Sequence, residues 1–131
     1  MSTSRLLRNS SRRAMSSSLL RIMIAMFLLI LSLVQISGQF QEWCIADEQT
    51  PDDELQAALD WACGKGGADC SKLQKNQPCY LPNTLRDHAS YAFNNYYQKL
   101  KHKGATCYFK SAAMITDLNP SKSSCKFEYL P

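Results

Sequence analysis

The chain has 131 residues, six cysteines and a formal charge of +4, which taken evenly would point to an acidic partner. The charge is not even: Arg5, Arg8, Arg12, Arg13 and Arg21 precede or abut an apolar run at 22–36, and no Asp or Glu occurs before Glu42. Residues 39–131 hold ten Lys/Arg against eleven Asp/Glu, so a nucleic-acid-binding domain, which concentrates basic charge on one face, is not expected.

The first element is a leader. Arginines followed by "IMIAMFLLILSLVQI" and then small residues have the layout of a secretory signal peptide. Residues 1–38 are assigned to it, with cleavage expected after Gly38 even though Ile36, three positions before the cut, is large. A transit peptide would be amphipathic rather than solidly apolar, and a membrane anchor needs ~20 apolar residues. No apolar tail follows Cys125, so neither a lipid anchor nor a mature transmembrane segment is expected.

Secretion places all six cysteines, which lie in 39–131, in an oxidising compartment, where an even count in a short segment reads as a disulfide framework. Spacing alone does not choose among the pairings. A zinc site is disfavoured because no C-x-x-C pair occurs, and no metal or cofactor is expected. A domain this small buries a thin core, so bridges worth roughly 2–4 kcal/mol each decide whether it folds.

Within the domain, "TPDDELQAALDWACG" at 50–64 predicts a helix. Thr50 is the expected N-cap, Pro51 suits the first helical position, and Asp52, Asp53 and Glu54 complement the helix dipole. Leu55, Ala58, Leu59, Ala62 and Cys63 recur at helical spacing, and Gly64 supplies the stop. The acidic cluster is read as capping rather than as a catalytic carboxylate pair. A glycine-containing, polar loop follows, pinned by Cys63, Cys70 and Cys79 and lacking phosphate-loop spacing.

A second helix is expected to start near Asn83 or Thr84 and to end before Gly104. At 100° per residue, Leu85, Ala89, Ala92, Phe93, Tyr96 and Leu100 form its core stripe. Thr84, His88, Tyr91, Asn95 and Gln98 fall on another face, with Tyr97 on the border. The β-branched and aromatic tail predicts a small hairpin around 105–116 and an extended piece at 125–129.

These residues form a recognisable pattern. "WCIA" at 43–46, "LQAALDWACG" at 55–64, "ADCSKLQ" at 68–74, "PCYLPNTLRDHASYAFNNYYQ" at 78–98 and "CYFKSAAMITDLNPSKSSCKF" at 107–127 together resemble the plant X-eight domain, carbohydrate-binding module family 43. The family occurs in plasmodesmal callose-binding proteins, in olive pollen allergens and behind the catalytic domain of some plant β-1,3-glucanases. The resemblance implies an α+β, small disulfide-rich fold: two helices, a short antiparallel sheet and long coil segments held by three disulfides. It pairs Cys44 with Cys107, Cys63 with Cys70 and Cys79 with Cys125. Trp61 stands where tyrosine or phenylalanine is common, and Ser111 and Ser123 stand where glycine is frequent, which would alter turns in the tail.

The resemblance also implies a non-catalytic monomeric module of the cell wall, including plasmodesmata, that binds β-1,3-glucan. A glucose ring offers C–H groups on its faces and hydroxyls at its rim, so its site needs rings and amides. Tyr91 and Asn95 are the first candidates, Tyr80, Asn83, Arg86, Tyr97 and Gln98 the second group, and Trp61 the third, closer to core edge. Phe93 and Tyr96 are read as core. His88 is expected to make a structural hydrogen bond, since His102 lies about 21 Å further along a helix and cannot share an ion with it. The rival readings are a structural or protein-binding wall module without glucan affinity, and a cysteine-rich defence or lipid-binding peptide. Plant lipid carriers, however, usually have eight cysteines with an adjacent pair.

Overall fold

The computed structural model describes residues 16–34 and 40–131, and the chain divides into two compact units, Met1–Gly38 and Gln39–Pro131. In the first, helix α1 (Ser17–Val34) carries the apolar block, with exposed side chains along 17–33. Among the described residues no helix is long and apolar enough to cross a membrane. Arg5, Arg8, Arg12, Arg13 and the expected cut after Gly38 lie outside the described residues.

The second unit is the α+β disulfide-rich domain. Helix α2 (Asp52–Cys63) begins with its three acids, but Thr50 does not cap it. Pro51 takes the cap position, and Thr50 is turned inward and buried. The acids still lie where the exposed N–H groups favour negative charge. Leu55 and Ala62 bury one face, and the Gly64 N–H returns to the Asp60 carbonyl at 2.9 Å.

Helix α3 (Leu85–Leu100) starts as expected. Thr84 Oγ1 accepts the Asp87 N–H at 3.1 Å, and its hydroxyl donates to the Asp87 carboxylate, a reciprocal cap that satisfies a free N–H of the first turn. Ala89, Ala92 and Phe93 are buried, with Leu85 and Tyr96 packed against the same core. After a 3₁₀ turn at Lys101–Lys103 the chain leaves through Gly104 at φ 93°, a left-handed position that a residue without Cβ adopts freely.

The tail differs from the expected hairpin. Strand β1 (Trp43–Ala46) pairs antiparallel with strand β2 (Ala113–Thr116), in register from Trp43↔Thr116 to Ala46↔Ala113. The strand partner thus comes from the opposite end of the domain, brought alongside by the Cys44–Cys107 bridge. A local alternation pattern does not report so distant a pairing. Residues 125–129 form no strand; the nearest pairing is an isolated bridge between Lys122 and Cys125.

Three disulfides, Cys44–Cys107, Cys63–Cys70 and Cys79–Cys125, close loops of 63, 7 and 46 residues. This is the pairing that the resemblance implies. Cystines and alanines supply much of the buried core around Phe93 and Leu55, so covalent closure compensates for a small apolar area.

Candidate functional site

Helix α3 is enclosed, and this decides the fate of most candidate residues. Asn94 Oδ1 accepts the Cys44 N–H at 3.2 Å, and its Nδ2 donates to the Glu128 carbonyl at 2.8 Å. Ser90 Oγ accepts the Ala46 N–H at 3.0 Å, so α3 side chains serve β1 where a third strand would otherwise lie. Gln98 Nε2 donates to the Glu42 carbonyl at 2.6 Å, and its Oε1 accepts the Leu130 N–H at 3.0 Å. Asn95 Oδ1 accepts the Asp69 N–H at 2.8 Å. In a domain with long coil segments, these side chains satisfy backbone groups that regular structure leaves unpaired.

Tyr91, Asn95 and Gln98 therefore do not form an outward face, contrary to the sequence expectation. They are 3%, 2% and 1% exposed. The helical wheel separates two stripes correctly, but the C-terminal tail and the loop at Asp69 cover the second one. Tyr91 packs edge-on to Phe127 at 5.4 Å. Burial, assisted by the Glu128 and Asp69 charges, raises its phenol to a pKa of about 12.

The second group is dispersed. Arg86 binds the Asp47 and Thr50 carbonyls, holding the turn between β1 and α2. Tyr80 accepts from Asn83 at 3.1 Å through its hydroxyl, and its carbonyl lies 2.8 Å from His88 Nε2, the structural bond expected of that histidine. Tyr97 is half-buried and reaches the Glu42 carboxylate at 3.4 Å. Burial and the nearby Glu42 charge raise its pKa.

Trp61, ranked last from the sequence, lies in an open groove of about 590 Å³. Its indole is 43% exposed and stands edge-on to Tyr96 at 5.3 Å and to Phe109 at 5.9 Å. Phe109 in turn stacks on buried Phe93 at 4.1 Å with an interplanar angle of 21°. Tyr108 adds a ring that is 60% exposed, while Glu54, Thr106 and Lys110 supply polar groups. Gly66 sets the position of the indole: a Cβ there would lie 2.9 Å from both Trp61 Cζ3 and the Ala62 carbonyl oxygen. Tyr96, read as core, has a second role as groove wall. The residues that sequence reasoning missed, Tyr108, Phe109 and Lys110, follow Cys107 directly, and the bridge to Cys44 was the available signal that this stretch is anchored.

The turn carrying those residues is unusual. Phe109, Lys110 and Ser111 have φ of 47°, 54° and 70° in succession, a left-handed region costing non-glycine residues roughly 1–2 kcal/mol each. Ser123 is also left-handed at φ 48°. Both serines where the resembling family favours glycine thus occupy positions that suit glycine.

A second groove, of about 650 Å³, lies beside the start of α3 and includes Leu81, Met114, Leu118, Arg86 and the Asp87–Lys122 ion pair at 3.1 Å. Its aromatic ring, Phe127, is half-buried against Tyr91. Flat exposed rings, which sugar faces require, stand in the groove of Trp61 instead.

An open aromatic groove with a polar rim, carried on a rigid disulfide-stapled unit, defines a small binding module. The chain belongs to the X8 domain family, which matches residues 42–114. It is 42% identical over 106 residues to plasmodesmata callose-binding protein 5 of Arabidopsis thaliana, covering 79% of this chain and 59% of that protein. It is 39% identical over 87 residues to major pollen allergen Ole e 10 of Olea europaea, covering 66% of this chain and 71% of that one. Identity to glucan endo-1,3-beta-glucosidase 4 of Arabidopsis thaliana is 48% over 85 residues, 65% of this chain but 17% of the enzyme. The chain therefore spans a small part of the glucosidase and somewhat over half of the callose-binding protein. No solved structure matches it.

Proposed function

We propose that this chain is a non-catalytic module that binds β-1,3-glucan of the callose type in the plant cell wall. Its leader, residues 1–38, would direct secretion and be removed, and the module would act as a monomer. The observation that carries the reading is the Trp61 groove. Its exposed indole can lie on the C–H face of a glucose ring, while the Glu54 carboxylate and Thr106 hydroxyl can meet hydroxyls at the rim. Similarity to a relative named for callose binding supports the choice of polymer.

Binding exchanges sugar hydration for a few stacking and hydrogen-bonding contacts in an open groove, so affinity is modest and grows along the chain. Electrophoresis in native gels containing laminarin tests this, with gels containing cellulose- or xylan-derived polymers as controls. Retardation by laminarin alone is the expected result. Equal mobility in all gels at high polymer load would refute the glucan reading.

A further inference from the structure

The left-handed turn at Phe109–Ser111 combines one packed ring with two exposed neighbours. Phe109 is anchored: its ring stacks on Phe93 and meets Trp61 and Tyr96 edge-on. Its carbonyl accepts the Ala112 N–H at 3.1 Å, closing the turn. The flanking side chains, Tyr108 and Lys110, instead point to use outside the core, since both are exposed and both line the groove. The backbone is thus held in an unfavourable region by packing while two free side chains are displayed at a groove, the kind of outlier that clusters at ligand clamps.

We infer that residues 108–110 are the length- and hydroxyl-reading element of the groove. Tyr108 supplies a second stacking platform beside Trp61, and the Lys110 ammonium donates to glucose hydroxyls or ring oxygens. The groove then reads consecutive glucose units rather than one ring. The packed ring of Phe109 is a positioning residue that keeps both neighbours in place. This inference rests on the glucan reading and adds to it residues that the helical pattern did not indicate.

Calorimetric titration of the purified chain with laminari-oligosaccharides, from the disaccharide upward, tests it. The unsubstituted chain gains affinity with oligomer length. Tyr108→Ala loses about tenfold on long oligomers and little on the disaccharide, flattening the length dependence, while Tyr108→Trp restores it. Lys110→Gly moves two readouts in opposite directions: Tm rises because the left-handed position is relieved, and affinity falls about threefold because the ammonium is gone. A merely structural turn would not separate them. If the unsubstituted chain binds and Tyr108→Ala retains its affinity and length dependence, the inference fails while the glucan reading stands. If the unsubstituted chain binds no oligomer, both fall.

Discussion

Helix α3 and the Trp61 groove use similar chemistry for opposite ends. The helix concentrates tyrosines and amides in one run, yet Asn94, Asn95 and Gln98 direct their amides to the backbone of β1 and of distant coil segments. The groove draws its rings from separate places: Trp61 from α2, Tyr96 from α3, and Tyr108 and Phe109 from the tail. A dense local motif can therefore be the internal scaffold, while the proposed binding surface is assembled from residues that are scattered in sequence.

The sharpest way to break this contrast is Asn94→Ala. It strands the Cys44 N–H and the Glu128 carbonyl, both otherwise paired through one side chain, and should cost about 3 kcal/mol of stability. Chemical denaturation measures the loss, and the protein that remains folded should bind glucan as before. A stability change within error would show that α3 is not the clamp described here.

Trp61→Ala should behave in the opposite way. Glucan affinity falls about tenfold, or ~1.4 kcal/mol, with a smaller shift in the denaturation midpoint because the indole is 43% exposed. Titration and denaturation of the same sample decide between the two effects. A milder probe is Gly66→Ala, whose added methyl meets the indole and the Ala62 carbonyl at 2.9 Å. Displacement of the ring should weaken binding by about threefold, read alongside a changed tryptophan emission.

Ser111→Gly addresses the turn from the stability side. Relief of the left-handed conformation at φ 70° should raise stability by about 0.5–1 kcal/mol, the strain released outweighing the greater freedom of glycine in the unfolded chain. Thermal denaturation reads this directly, and a lowered Tm would contradict it.

The last effect is confined to alkaline pH and is absent at neutrality. Tyr91 ionises near pH 12 when folded but near pH ~10 when exposed. The folded state thus retains the proton that the unfolded state releases, and stability falls as pH rises through that window. Tyr91→Phe should flatten the decline between these values, as followed by denaturation midpoints.

Much of this molecule was legible in its sequence, for identifiable reasons. Apolar spacing with a Thr84 cap and a Gly104 exit located α3, because helix ends are set by nearby backbone groups. The even cysteine count in residues 39–131 pointed to a stapled domain, and the structural role of His88 followed from the lack of any partner ligand nearby. Periodicity also separated the Phe93 stripe from the Tyr91 stripe.

Tertiary structure alone decided what covers each stripe. The C-terminal segment bonds to Asn94 and Gln98, and Phe127 closes over Tyr91, so a face that looked free by its spacing became interior. The Cys44–Cys107 link and the β1–β2 pairing join opposite ends of the domain, and the same closure carries Tyr108 and Phe109 to the side of Trp61. Spacing along a helix determines which residues share a face; whether that face meets water depends on segments far away in the chain.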